Sequence, residues 1–489
     1  VGVALLGAIL LPPILLLAQP KVKFDTRRLL SDKLVNYILA EDLSGDGLPD
    51  ITVQSGKDLM FFWQRKNNTF PSRPDMKIRL PDNTFLWCLG KIGQKDRPSI
   101  VLMTSRGICA YKPSKDRVHE RPEELIICSN ILDGRCSSPP IYWDFMPDLN
   151  GDGLSDPFLL DKDGILLFVQ DKQGNFTLNQ KLEVAINSRV ETTKFPHESS
   201  HQVIGVPVLA FGKVNDDDRP DILIYEDDQL RFFYQGEDGR FKSKEALVYQ
   251  VEGKKKKRKR FFNFEIPPIL KDIDGDGTID LALIYPSRGR IQIYYTKGGR
   301  CDLRSPDDIK DTKEWAPAFW LKDFNQDGRQ DLVIASVQRL GVIGAVQMFM
   351  AKKVNLHLSI FPSKEDGRMV KEPSQVLSFT VPYVVSATRE SGKFSLTFNP
   401  NFDGDFNGDG LKDLLIAVKE EELIIYYGDK EKILNSTPGS TIRITPPQGT
   451  AHTDSWVYDL NKDGRSDIIL RCTNLSTQRS SVILLLSKG

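Results

Sequence analysis

The stretch "DLNGDGLSD", Asp148 to Asp156, carries oxygen-bearing side chains at its first, third, fifth and ninth positions and a glycine, Gly153, at its sixth. Five ungapped equivalents recur: "DLSGDGLPD" from Asp42, "DIDGDGTID" from Asp272, "DFNQDGRQD" from Asp323, "DFNGDGLKD" from Asp405 and "DLNKDGRSD" from Asp459. Two eroded copies, "KIGQKDRPS" from Lys91 and "KVNDDDRPD" from Lys213, fill the gaps between them. The loops start about 50 to 80 residues apart, a spacing that marks a repeat architecture.

Positions outside the acidic set agree as well. The second is apolar in all eight copies: Leu43, Ile92, Leu149, Val214, Ile273, Phe324, Phe406 and Leu460. Strand formers follow the ninth, as in Ile51-Thr52-Val53, Ile222-Leu223-Ile224 and Ile468-Ile469-Leu470. Apolar runs such as "FLWCLG" and "PVLAFG" precede the loop, and "GILLFVQ", "IQIYYTK" and "ELIIYYG" come after it as a further strand. Each unit therefore reads as one four-stranded antiparallel sheet, which predicts an all-β propeller; a solenoid of stacked strands has shorter repeats. Eight loops predict eight blades, with seven as the alternative count. The piece "KVKFDTR", 21 to 27, is expected to close the ring as the outer strand of the last blade.

The chemistry of the loop follows from its charge. Carboxylates at alternate positions repel one another unless a cation sits between them. Calcium accepts six to eight hard oxygens, and the EF-hand loop uses the same odd-position rhythm. The side chains expected to hold the ion are Asp42, Ser44, Asp46 and Asp50; Asp148, Asn150, Asp152 and Asp156; Asp272, Asp274, Asp276 and Asp280. The same positions downstream are Asp323, Asn325, Asp327 and Asp331; Asp405, Asn407, Asp409 and Asp413; Asp459, Asn461, Asp463 and Asp467. Position seven would give a backbone carbonyl, so Leu48, Leu154, Thr278, Arg329, Leu411 and Arg465 are free to differ. EF-hands and dockerin modules need helices beside the loop and, in the EF-hand, a Glu at position twelve. Here that position is apolar: Val53, Leu159, Leu283, Ile334, Ile416 and Leu470.

In these motifs the chain resembles the FG-GAP/VCBS repeat family of calcium-binding β-propellers, to which the integrin α head belongs. The resemblance runs from about residue 35 to 475; the Phe-Gly dipeptide survives at Phe211-Gly212 alone among the units. It implies protein or carbohydrate recognition by a scaffold, with calcium as cofactor, and carries over no particular ligand. Lys213 in the fourth loop is expected to fill the cation's place against Asn215, Asp217 and Asp221, and the second loop keeps no ligands, so six calcium sites are expected. At tenfold saturation each would add about 1.4 kcal/mol.

Composition frames the rest. There are 66 basic and 66 acidic residues, a balance that argues against a protein built as a whole for nucleic acid or anionic membrane. Residues 1 to 18 are apolar and uncharged, so 1–19 is expected to be a signal peptide, or else an N-terminal anchor, ahead of one propeller domain over 21–489. That places the chain in a secreted, periplasmic or cell-surface setting. Cys128 and Cys136 could pair there, and Asn67, Asn175, Asn435 and Asn474 stand in N-x-S/T sequons. The basic run Lys254 to Arg260 is a candidate polyanion contact.

No nucleophile elbow or phosphate loop stands out, and His197 and His201 in "HESSH" read as a solvated loop. The chain is accordingly expected to be no enzyme; the alternative is a polysaccharide lyase or hydrolase on a calcium-binding propeller. Long insertions at 113–140, 187–203, 251–262 and within 352–400 are expected on the rim opposite the calcium loops, where a ligand would bind.

Overall fold

The computed structural model describes residues 22–29, 33–93, 97–114, 117–132, 138–184, 187–193, 199–205, 207–215, 217–226, 229–242, 247–250, 266–338, 350–387 and 392–488. The segment 1–19, Cys136, His197 and Lys254 to Arg260 lie outside them.

The chain forms an eight-bladed β-propeller. In the first blade Tyr37–Glu41, Asp50–Ser55, Asp58–Phe62 and Met76–Arg79 pair antiparallel in chain order, innermost first. The fourth and fifth blades repeat this order, from Val208–Gly212 out to Leu247–Gln250 and from Ile269–Lys271 out to Asp308–Asp311. In the eighth, His452–Tyr458, Asp467–Asn474 and Arg479–Lys488 are joined on the outside by Lys23–Leu29, which pairs Lys23 with Lys488 through to Leu29 with Val482. Strands from both ends of the described chain thus share one sheet, so the ring closes through backbone hydrogen bonds instead of exposing two raw edges. Helical backbone among the described residues is limited to the turn Pro286–Arg288 and to Met350 and Ala351.

Why the sheets stand as blades is visible in the burial. The second strands are buried on both faces, as in Asp50–Ser55, Ser99–Thr104 and Asp331–Val337. Side chains on either face pack against the neighbouring blade. Cys88, Val101, Phe145, Phe158 and Leu167 form one such layer across the second and third blades. The apolar residue at position two of all eight loops is buried, which anchors each turn into the gap between blades.

Three blades depart from the plain pattern. The sheet of the seventh has three strands, Leu414–Lys419, Glu422–Tyr426 and Ser440–Arg443, and its inner segment bridges Leu415 at Asn401 and, in parallel, Thr453 of the eighth blade at Phe398. The inner segment of the third leaves its own sheet at Ile141–Tyr142 to run parallel with Leu86 and Trp87 of the second. It rejoins through the Phe158 N–H to Phe145 carbonyl bond. Tyr142 then stacks on Tyr37 at 4.4 Å, with Trp87 edge-on between the blades. In the sixth, the fourth strand Gln375–Ala387 overruns its blade and folds back as a hairpin with Gly392–Leu396.

Strand parity decides the rims. With four antiparallel strands, the first-to-second and third-to-fourth connections emerge on one rim, and the other two connections emerge opposite. The nine-residue loops all join first strands to second. The hairpin of Asn187–Thr193 with Ser199–Gly205 and that of 383–396 follow fourth strands, so they sit on the far rim. Part of 113–140 does not. Its hairpin, Pro113–Ser114 with Arg117–Val118, joins third strand to fourth, and Arg97 of the second loop reaches the Ser114 carbonyl at 2.7 Å on the rim of the nine-residue loops.

The closing seam also has a charged clasp. Arg471 donates to Asp454 and to the carbonyls of Val35 and Asn36 at 2.8 and 2.9 Å, lying 5.3 Å over the Trp456 ring. Burial pushes Asp454 up, but His452 and Arg471 outweigh it and hold its carboxyl below the ordinary value. Arg471→Ala should cost about 2 kcal/mol, since it leaves Asp454 to His452 alone and takes the donor from two carbonyls; urea unfolding of the two proteins checks this.

Candidate metal centre

Each intact loop folds by satisfying its own acids. The first Asp takes N–H bonds from the turn: Gly47 to Asp42 at 2.8 Å, Gly153 to Asp148 at 2.8 Å and Gly277 to Asp272 at 3.0 Å. Gly328, Gly410 and Gly464 bind Asp323, Asp405 and Asp459 in the same way. The fifth-position carboxylates of Asp46, Asp152, Asp276, Asp327, Asp409 and Asp463 each accept the N–H of position seven at 2.7 to 2.9 Å. The glycine at six holds φ near +87°, a conformation most side chains resist, as at Gly47, Gly277 and Gly328. The turn thus sets the first, third and fifth side chains on one side of the loop.

At Asp272 that set is fully acidic. Oxygens of Asp272, Asp274 and Asp276 all lie within 4.8 Å of one another, the one such group of acids among the described residues. That separation suits oxygens sharing a calcium at 2.3 to 2.6 Å. Burial, then Asp276 and Asp272, push Asp274 up, which is the effect a cation between them would reverse. Elsewhere Asn150, Asn325, Asn407 and Asn461 hold the third position and turn their amide N–H toward the fifth-position acid at 2.8 to 3.1 Å, while the Ser44 hydroxyl in the first loop faces the first-position Asp42 at 3.5 Å. The donor set fits a hard divalent ion; when bound, it would supply charge neutralisation and stiffness to the turn.

The ninth-position acids have a second role that sequence alone did not reveal. Asp50, Asp156, Asp280, Asp331, Asp413 and Asp467 are fully buried. One oxygen of each accepts the N–H of position two, as Leu43 does to Asp50 at 3.1 Å and Leu149 to Asp156 at 2.9 Å. The other accepts an N–H at or just beyond the end of the third strand: Gln64, Gln170, Thr296, Ser363, Gly428 and Ser487 in turn. The carboxylate is thus a staple between loop and third strand. Asp221 keeps half of it in the eroded fourth loop, through the Gln235 N–H at 2.9 Å.

The fourth loop's basic residues also differ from expectation. Lys213 bonds Asp218 at 2.6 Å on the exposed tip, and it is Arg219 that pairs with Asp217 at 2.5 Å. Asp218 stands where the intact loops have glycine, at φ +59°, and its carboxylate offers the nearer partner.

Neighbouring loops are tied into a chain around the rim. The Ile279 N–H donates to the Lys213 carbonyl, Gln330 to Ile273, Lys412 to Phe324 and Ser466 to Asp405, all at 2.7 to 3.0 Å. Gln170 bridges the Lys91 and Ser155 carbonyls, and Gln235 reaches Leu149.

The FG-GAP-like repeat model matches residues 272–334 and 405–470, each segment taking in two consecutive loops, so the chain carries FG-GAP-like repeats on a β-propeller. No curated protein matches it in sequence. Among solved structures, it is similar to an Agrocybe aegerita lectin that recognises non-reducing terminal N-acetylglucosamine, at 12% identity and TM-score 0.44, covering 72% of this chain and 86% of that one. It is similar also to the WD40 domain of Toxoplasma gondii coronin, at 11% identity and TM-score 0.38, covering 96% and 88%. The V. cholerae biofilm matrix protein Bap1 is matched at 11% identity and TM-score 0.29, covering 92% and 77%.

The buried acids set a pH dependence for the ion-free protein. Burial pushes Asp50, Asp156 and Asp467 up to about 6, Asp331 and Asp413 to about 7 and Asp280 to about 8. Folded values above the unfolded 3.8 make protonation favour the folded chain; that contribution is complete at low pH and is lost as pH rises through 6 to 8. In chelator the melting temperature should therefore fall between pH 5 and 8. Millimolar calcium, which holds the acids ionised, should flatten or reverse the fall in the same scan.

Proposed function

We propose that the chain is a secreted or cell-surface propeller, stiffened by calcium in its six intact loops, that serves as a non-catalytic scaffold for binding protein or carbohydrate. The observation that carries this reading is the division of labour between the rims. One rim carries the nine-residue loops, tied to one another and to their blades. The other carries the hairpins of 187–205 and 383–396, extra chain that closes no blade. Extra chain gathered on one face of a stiff disc is the usual form of a recognition surface.

Of the described histidines, His357 and His452 are engaged in strand-joining bonds, which favours a scaffold over a catalyst, while His119 is exposed. His357 shares the Glu314 carboxylate with the buried Ser336 hydroxyl, at 3.1 and 2.6 Å. His452 is held between the Leu396 carbonyl and Asp454, both at 2.9 Å. Each is spent on joining strands. The basic run Lys254 to Arg260, outside the described residues, would add a polyanion contact.

The test is a glycan array and a surface pull-down run with the intact chain and with a variant in which 384–395 is replaced by a two-residue turn. Ligands found by the intact chain should be lost by the variant while its melting temperature holds within a few degrees. Equal binding by both would remove the far rim from the account, and new unsaturated or reducing ends on acidic polysaccharides would make the protein an enzyme.

A further inference from the structure

The eight loops fall into two alternating kinds. The first, third, fifth and seventh have glycine at position four, Gly45, Gly151, Gly275 and Gly408, and Leu48, Leu154, Thr278 and Leu411 at position seven. The second, fourth, sixth and eighth have Gln94, Asp216, Gln326 and Lys462 at position four, and arginine at seven: Arg97, Arg219, Arg329 and Arg465. The alternation ignores whether a loop has kept its acids, since Arg97 and Arg219 belong to the two eroded copies.

Backbone conformation does not account for the glycines. Position four is left-handed in both kinds, with φ +82° at Gly45 and +81° at Gly275, but also +61° at Gln326 and +56° at Lys462. A side chain is therefore tolerated in that conformation here. What differs is the neighbour. A Cβ at Gly45 would stand 2.5 Å from Arg97 Cδ. At Gly275 it would meet the Gly328 carbonyl at 2.9 Å and Arg329 Cγ at 3.2 Å, and at Gly408 it would meet Arg465 Cγ at 3.3 Å. In each case the arginine comes from the following loop and its stem lies across the glycine, while the head groups of Arg329 and Arg465 bond within their own blades, to Asp327 and the Lys488 carbonyl.

Gly151 is the informative exception. Nothing comes within 4 Å of a Cβ there, and Arg219 instead bonds Asp217 and the Gln235 carbonyl, so its stem does not cross the glycine. Arg97 shows the clasp most completely. Its guanidinium donates to the Ser44 and Leu43 carbonyls at 2.7 and 3.4 Å and to Ser114 at 2.7 Å. It thereby fixes positions two to four of the first loop from a loop that itself has no ligands left.

We propose that the blades act in pairs, and that Arg97 is a positioning residue that holds the cation-binding loop of the first blade, the stems of Arg329 and Arg465 packing against the loops before them in the same place. The proposal rests on the calcium reading above. A clasped loop has its backbone fixed before the ion arrives, so less ordering is left for binding to overcome.

Calcium titration of the full chain by calorimetry tests this at the first pair. Arg97→Ala and Gly45→Gln should each weaken one site by about tenfold, leave the others alone, and weaken it no further when combined. Gly45→Gln should cost more than Gly151→Gln, Arg97→Lys should recover most of the loss, and Arg97→Ala should have no effect once Asp42→Asn has removed that site. Equal effects of the two glycine changes, or unchanged affinities in Arg97→Ala, would overturn the pairing. If the parent chain takes up no calcium, the calcium reading falls on its own. The pairing is then decided by melting in chelator, where non-additive shifts of Arg97→Ala and Gly45→Gln support it and additive shifts refute it.

Discussion

A carboxylate shut away from water, shared between two backbone N–H groups, holds each blade to its loop. Without the ninth-position aspartate, the position-two amide and the amide at the end of the third strand would both be buried without acceptors. With it, three strands and the turn between two of them become one unit. Its cost is a negative charge in a dry place, next to two or three more. That is an unstable arrangement for a bare loop and a favourable one for a loop around a cation. Metal binding and blade integrity are therefore one problem, solved by one residue type at one spacing.

From that unit the ring follows. The apolar residue at position two anchors each loop between blades, and position-eight amides reach back to the carbonyls of the loop before. Stiffness thus passes from turn to turn on one rim. The seam between the last blade and the first is the place where such a chain could part. There it is closed by Lys23–Leu29 on the outer edge and by Arg471 on the strands' inner side. The opposite rim carries hairpins of unequal length.

Much of this was legible in the letters. The acid rhythm, the apolar second position and the strand formers after position nine specify blade and loop together, because burial and ligation put incompatible demands on neighbouring residues. Closure by the N-terminal strand followed from counting strands after Asp467. What was hidden depends on neighbours in space. Asp280 looks like a fourth ligand on paper, and its bonds to Ile273 and Thr296 appear only when the third strand is placed. Lys213 was read against the loop's own acids, whereas Asp218 at the tip lies closer. The alternation of Gly and Arg is present in the sequence, but it emerges only when a loop is compared with the one two blades on, and its reason is a stem crossing between blades.

The central claim is that these turns are ion cages that lock the disc. Equilibrium dialysis of the chelated, refolded chain against millimolar calcium, with bound metal counted by elemental analysis, tests it most directly. The account predicts about six ions per chain, lost together with a large drop in melting temperature on chelation. A chain that binds none and melts at the same temperature with or without chelator would contradict it.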